Sequence, residues 1–393
     1  MDSLIREALQ NNHDVLMAES KVYTSTFRTP QASTLPDPMV MFGYQNEGWD
    51  RYSYGQMSGA QWMFSVSQMF PFPGKLELKE QMTIKDTEVL QSVVRSVRLK
   101  TVAKVKELYY DLFLTYKNIG LIQDKITLFS RIEDAALSRY SSGMGLQVDV
   151  LMAQTEKYML IEKQEMERQK IHAIEGMLNS TLGRQEINTP IARPRNINYS
   201  TYPWSMDEVI KTAIETSPDI MSKTKETEAA KVKVAMAQRE YYPDINVNAS
   251  VAKRGGEFKD MWSLTATVNV PIFYKTKQRM AVSEANSALS EVQHDIDALK
   301  AMIASTIREN YSMLKTAEKL IQLYKNALIP RTYQDFELAL NGYVTGKIEA
   351  MTVVTRLKAL LDYDILYWRQ FVEREKAIAR LEAIAPSAGG QDG

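Results

Sequence analysis

The sequence predicts a mainly α-helical chain with a small β part, built from two copies of one unit in which long helical hairpins follow pairs of short strands. Three observations predict it. The chain matches itself at an offset of about 200 to 207 residues, a long-period internal repeat. Two runs of about 65 residues keep helical apolar spacing with almost no breakers. Four short runs alternate apolar and polar residues with the period-two pattern of strands.

The repeat rests on matches that keep their order. Ala8-Leu9 followed by Asp14-Val15 recurs as Ala213-Ile214 followed by Asp219-Ile220, and Leu35-Pro36-Asp37 answers to Tyr242-Pro243-Asp244. Trp62, Pro71 and Lys75 pair with Trp262, Pro271 and Lys275; Lys106-Glu107-x-Tyr109 pairs with Arg308-Glu309-x-Tyr311; and Tyr140-x-x-Gly143 pairs with Tyr343-x-x-Gly346. The first copy spans 1–188, the second 204–385. The segment 189–203, rich in Pro, Asn and Tyr, reads as their linker, and 386–393 as a flexible tail.

Each copy opens with a helix, over 4–28 and 207–240, that stops before a proline-aspartate signal at Pro36 and Pro243. Strands are expected over about 38–48 and 60–71 in the first copy, and over about 244–254 and 261–271 in the second. Trp262, Leu264, Ala266, Val268 and Val270 alternate with Ser263, Thr265, Thr267 and Asn269, so one face is apolar and the other wet. Val40, Phe42 and Tyr44, then Trp62, Phe64 and Val66, repeat the pattern in the first copy. At about nine to eleven residues, each run has the length of a tilted membrane-spanning strand.

With four strands and otherwise long helices, the chain offers no second sheet to cover the aromatic-bearing face, whereas lipid would. Four strands cannot close a barrel, and open edges in hydrocarbon would leave backbone groups unpaired, so the expected barrel is shared between chains. The exits Pro71-Phe72-Pro73-Gly74-Lys75 and Pro271-Ile272-Phe273-Tyr274-Lys275 place proline where the ladder stops. At the other strand ends, Glu47 to Gly59 and Lys253 to Asp260 read as polar loops. Long helices follow over about 76–140, roughly 100 Å of helix, and about 276–340, where Pro330 is expected to kink or interrupt the run. Return helices are expected over about 146–182 and 347–384.

Composition narrows the function classes. Lysine plus arginine equals aspartate plus glutamate at 48 each, so no global field attracts nucleic acid. Cysteine is absent, which removes disulfides, thiolate metal sites and cysteine nucleophiles. His13, His172 and His294 stand far apart, with no local histidine metal motif. No apolar run reaches the length of a membrane-spanning helix. The N-terminal Met1-Asp2-Ser3-Leu4 shows neither the basic nor the apolar part of a secretory signal, so a signal peptide is expected to be absent from this chain. No nucleophile-base arrangement or phosphate-binding loop appears, so no catalytic residue, cofactor or enzyme activity is assigned. The 21 methionines carry soft thioethers suited to Cu(I), but their helical spacing reads as packing, and no metal site is assigned.

Paired repeats with Tyr-x-x-Gly hairpin tips resemble the TolC family of outer-membrane efflux proteins over essentially the whole chain. Leu35-Pro36-Asp37-Pro38 and Ser67-Gln68-Met69-Phe70-Pro71-Phe72-Pro73-Gly74-Lys75 resemble its heavy-metal efflux branch, the CzcC and CusC type. The resemblance implies a homotrimer with a shared twelve-stranded transmembrane β-barrel and a periplasmic α-barrel. It implies the outer membrane of a Gram-negative bacterium as the location, with a periplasmic membrane-fusion adaptor and an inner-membrane pump, of the RND type, as partners. The implied function is a passive conduit exporting heavy-metal cations, gated at the periplasmic tips.

By the same resemblance, Tyr140, Gly143, Met144, Gly145 and Gly346 lie at adaptor-docking tips, and Asp149, Tyr343, Lys347 and Glu349 line the periplasmic aperture. Three copies of Asp149 would form a cation-selecting ring; its purely structural role would be that of a first-turn aspartate on the helix dipole. The second copy has Thr352 at the position matching Asp149, and Ile348 stands where the family carries a gate-locking arginine, beside Lys347. Phe42, Tyr44, Trp62, Phe64, Trp262 and Leu264 are the expected lipid-facing strand residues. Two alternatives stand beside this reading. One is a general drug or type I secretion channel of the same family. The other is a soluble periplasmic coiled-coil adaptor or scaffold, which would explain the hairpins but leave the apolar strand face exposed.

Overall fold

Residues 1–186 and 188–386 are described in the computed structural model; the expected tail lies outside the described residues from 387 onward. The fold is mainly helical with four antiparallel strands, as the sequence predicts. The first copy supplies α1 (Asp2–Asn11), α2 (His13–Thr26), α3 (Arg28–Ser33), β1 (Met39–Gln45), β2 (Gln61–Phe70), α4 (Lys75–Ser141) and α5 (Gln147–Thr181). The second supplies α6 (Met206–Thr216), α7 (Pro218–Arg239), β3 (Ile245–Arg254), β4 (Met261–Val268), α8 (Gln278–Leu323), a π-turn (Tyr324–Leu328), α9 (Ile329–Val344) and α10 (Ala350–Ile384). Among the described residues no helix is long and apolar enough to cross a membrane.

Several boundaries differ from expectation for local reasons. The opening helix of each copy is broken. Asn12 leaves the helical region, and its Oδ1 accepts from the backbone N–H groups of Asp14 (2.9 Å) and Val15 (3.1 Å), capping α2. Ser217 likewise leaves the helical region before Pro218, because a residue preceding proline avoids the helical conformation. A further break at Phe27 separates α3 from α2. The expected 276–340 helix starts at Gln278 and is interrupted at the π-turn, where the Ile329 N–H reaches back to the Tyr324 carbonyl. Pro330 follows directly and cannot supply a helical N–H, so the ladder shifts by one residue in front of it. The final helix starts at Ala350 rather than 347, after the turn that contains Gly346.

The compact units do not coincide with the copies; each draws on both. One comprises Met1–Ala18, Val94–Ile220 and the chain from Leu299; the other comprises Glu19–Val93 and Met221–Ala298. In the first unit, buried residues recur every seven positions: Ile122, Phe129 and Ala136 on α4, and Ala350 with Leu357, Val353 with Leu360, and Val354 with Leu361 on α10. This is the heptad spacing of coiled-coil packing. Lys125 fits the same buried seam by pairing with Asp364 at 3.0 Å.

The inter-repeat segment is anchored to this unit. Arg374, 1% exposed, donates to the Ser200 carbonyl (2.6 Å), Glu375 (2.5 Å) and Glu318 (3.2 Å), and lies 3.7 Å from the centroid of the Tyr199 ring. Each guanidinium nitrogen thus has a partner, while the second, buried carboxylate oxygen of Glu375, Oε2, has none.

The second unit holds the sheet, in the order β1-β2-β3-β4. β2 and β3 join the two copies, with Phe64 opposite Val251 and Gln68 opposite Val247. β1 and β4 are edges, and at seven and eight residues they are shorter than expected, whereas β2 and β3 run to ten. An edge strand has a single ladder to define its extent. The register puts Val40, Phe42, Tyr44, Trp62, Phe64, Val66, Val251, Trp262 and Leu264 on one face, with Ser65, Ser67, Asn246, Asn248, Ser250, Ser263 and Thr265 on the other.

Candidate functional site

The two hairpin turns of the first unit are built alike because the same four-residue motif ends both helices. At the end of α4, Gly143 has φ of 73°; its N–H donates to the Tyr140 carbonyl (3.0 Å), and the Met144 N–H donates to the Arg139 carbonyl (2.9 Å). At the end of α9, Gly346 has φ of 77°; its N–H donates to Tyr343 (2.9 Å), and the Lys347 N–H to Gly342 (2.8 Å). Both are Schellman caps, in which a left-handed residue lets two terminal carbonyls be satisfied. Glycine takes this conformation at no steric cost.

Tyrosine occupies the same position in the two motifs with different fates. Tyr140 is half exposed, while Tyr343 is 1% exposed and packs with Phe129, Ile132 and Phe336 in the helical core. Tyr343 thus reaches the tip cleft from within the helical core. Its hydroxyl donates to Asp149 Oδ2 at 3.3 Å, which joins the first turn of α5 to the last turn of α9. Burial, and after it the Asp149 carboxylate, push the Tyr343 hydroxyl above the usual phenol range, while Arg139 pulls the other way.

Arg139 is the residue the sequence reading missed. Its Nη1 donates to the Tyr343 carbonyl (2.6 Å), its Nη2 donates to the Met144 carbonyl (2.9 Å), and its guanidinium lies 5.0 Å from the Tyr343 ring centroid. One side chain thus ties both turns together, and the planar fork is what makes two carbonyls reachable at once. The signal was present as an asymmetry of the repeat. The position before Tyr140 is arginine, and its counterpart before Tyr343 is Gly342, where Ile348 packs close instead.

Around this tie lies a cleft of about 490 Å³ lined by Met144, Gly145, Leu146, Val148, Asp149 and Lys347, among others. Gly145 sits against the Arg139 backbone and side chain. Met144 (70%), Leu146, Val148, Leu151 and Met351 are exposed apolar side chains in this region. Lys347 and Glu349 are exposed, Glu349 standing just ahead of α10, and Asp149 is partly buried. The structure thus brings Asp149, Tyr343, Gly143, Met144, Gly145, Gly346 and Lys347 into one cluster.

In the second unit, the expected lipid-facing residues share one face of the sheet. Phe42, Phe64, Trp262 and Leu264 are exposed, and Tyr44 and Trp62 are half-buried because they stack on neighbours. Phe42 lies 5.1 Å from Trp62 and 4.9 Å from Phe64, and Tyr44 lies 4.9 Å from Trp62, ring centroid to centroid. No group of three or more histidine or acidic side chains placed to hold a metal ion occurs among the described residues.

Residues 209–363 match the family model described as outer membrane efflux protein. The chain is 20% identical over 320 residues to the cobalt-zinc-cadmium resistance protein CzcC of Cupriavidus metallidurans, covering 79% of this chain and 73% of that protein. Its fold is similar to that of the outer membrane protein VceC of Vibrio cholerae, with TM-score 0.83, 16% identity and coverage of 100% and 96% of the two chains. It is also similar to CusC, in a structure described in terms of folding and transmembrane channel formation, with TM-score 0.80, 15% identity and coverage of 99% and 92%. The resemblance to TolC-like outer-membrane efflux proteins read from the repeated motifs is thus matched in sequence and in fold.

Proposed function

We propose that this chain is one protomer of a homotrimeric outer-membrane efflux channel. It acts as a passive conduit that takes solute from a periplasmic adaptor and an inner-membrane pump of the RND type to the exterior. The observation that carries the reading is the sheet: its aromatic face is open, and β1 and β4 each present an unpaired edge. In hydrocarbon both features are satisfied together, lipid covering the face and neighbouring copies completing the ladder. Energy for export would come from the pump.

The cargo this reading assigns is heavy-metal cations. Its supports are the likeness to CzcC, whose name carries cobalt, zinc and cadmium, and the placement of Asp149 at the helical tips, where three symmetry-related carboxylates would favour cations. The exposed apolar residues Met144, Leu146 and Val148 suit contact with an adaptor.

Detergent extraction followed by mass measurement tests the channel reading: three copies per particle, with no solubility in the absence of detergent, are expected, and a water-soluble monomer would end it. Cargo is tested by gene deletion. Sensitivity to cobalt, zinc or cadmium is expected to rise, and unchanged metal tolerance with increased drug sensitivity would transfer the assignment to organic solutes. Gating at the tips predicts that Arg139→Ala, which frees both turns, raises single-channel conductance in planar bilayers several-fold over the unsubstituted chain.

A further inference from the structure

Where the strands give way to helices, the second unit contains a cleft of about 240 Å³ whose chemistry the conduit reading does not use. Its wall holds Lys75, Glu240, Asp244, Lys277 and Gln278, and its rim holds Val270, Ile272 and Phe273. Lys75 is almost fully enclosed and pairs with Asp244 at 2.9 Å and Glu240 at 3.3 Å. Asp244 is further occupied, since its Oδ1 accepts from the Phe72 N–H at 2.8 Å.

Unused capacity remains on three groups. Gln278 is 9% exposed and lines the cleft, yet its Oε1 is a buried acceptor without a hydrogen-bond partner. Glu240 gives one oxygen to Lys75 while its side chain stays 45% exposed. Lys277 lines the cleft with no ion-pair partner among the described residues. A buried orphan acceptor costs free energy unless a donor arrives. The cleft therefore presents two acceptors for a cationic donor, one ammonium for an anion, and no net charge, since two lysines balance two carboxylates. Beside these groups stand apolar side chains that are 63% to 71% exposed: Val270, Ile272 and Phe273.

We infer that this cleft binds the headgroup of a zwitterionic phospholipid carrying a primary ammonium, of the phosphatidylethanolamine class. The ammonium donates to Gln278 Oε1 and Glu240, the phosphate pairs with Lys277, and the glycerol and upper acyl chains lie over Ile272 and Phe273. A primary ammonium brings three donors, which a quaternary one lacks, so the orphan acceptor selects between zwitterionic headgroups. Continuity supports a lipid occupant: Val268, the last residue of β4, lies on the sheet face that carries Trp262 and Leu264, and Val270 and Ile272 follow within four residues. The inference rests on the membrane reading given above.

The test is native mass spectrometry of the full-length chain in detergent micelles doped with phosphatidylethanolamine, phosphatidylcholine or phosphatidylglycerol, with soluble phosphoethanolamine as a separate arm. Phosphatidylethanolamine is expected to be retained about tenfold better than either other lipid, the loss associated with one charge-assisted hydrogen bond. Gln278→Leu and, at an exposed position, Lys277→Glu should each reduce that retention about tenfold while the chain still fractionates with the outer membrane. Equal retention of the three lipids, retention unchanged in both variants, or retention of soluble phosphoethanolamine in place of lipid would overturn the assignment. Failure of the membrane reading shows itself differently, as a chain that stays soluble without detergent, and that result would remove the lipid site with it.

Discussion

Two glycines and one arginine determine how the tips are made. Gly143 and Gly346 hold left-handed conformations that an alanine adopts at a cost of roughly 1–2 kcal/mol, so Gly346→Ala should lower the urea midpoint by that equivalent without changing helix content. Tyr343 supplies a pH test. Because burial and then Asp149 raise its folded-state pKa, its neutral form stabilises the fold fully below the unfolded phenol value of about 10. That contribution is lost as pH rises from there through the folded value. The thermal midpoint should fall more steeply above about pH 10 in the parent than in Tyr343→Phe, which has no hydroxyl to ionise. The Tyr-x-x-Gly motif was legible because a cap is a local device, written in four consecutive residues. Arg139 was not, because its role depends on carbonyls of Met144 and Tyr343, one of them 204 positions away.

At the scale of the elements, period was the reliable signal and interruption the unreliable one. Strand alternation and the long breaker-free runs follow directly from side-chain geometry, which is why the four strands and the α4–α5 hairpin could be placed from sequence. The breaks at Asn12 and Ser217 were hidden, since asparagine and serine occur inside helices and as caps alike. Pro330 announced an interruption, but the chain absorbed it in the turn before the proline rather than at it. The attachment of the inter-repeat segment was not legible: Ser200, next to Tyr199, is held by an arginine 174 residues away in sequence. Removing that arginine strands Glu375, itself 1% exposed, so Arg374→Met should cost about 3–5 kcal/mol. Chemical denaturation read by circular dichroism would register the loss as a lowered midpoint.

On the scale of the whole molecule, the sheet is an unfinished object. Leu264→Arg places a cation on the apolar face at a cost of about 2–4 kcal/mol if that position lies near the bilayer centre. It should cut the amount of assembled protein in outer-membrane fractions while leaving the helical signal of the purified chain intact. The two free edges come from different strands, β1 at one side and β4 at the other, so in the proposed trimer the contact that completes them is head-to-tail and closes through every member of the ring. A copy damaged only along β4 would still offer a sound β1 to its neighbour, be accepted, and then leave a gap that no intact partner can seal. Co-expressed with normal chains, such a copy would act as a poison rather than a passenger, depressing export by more than its share of the pool.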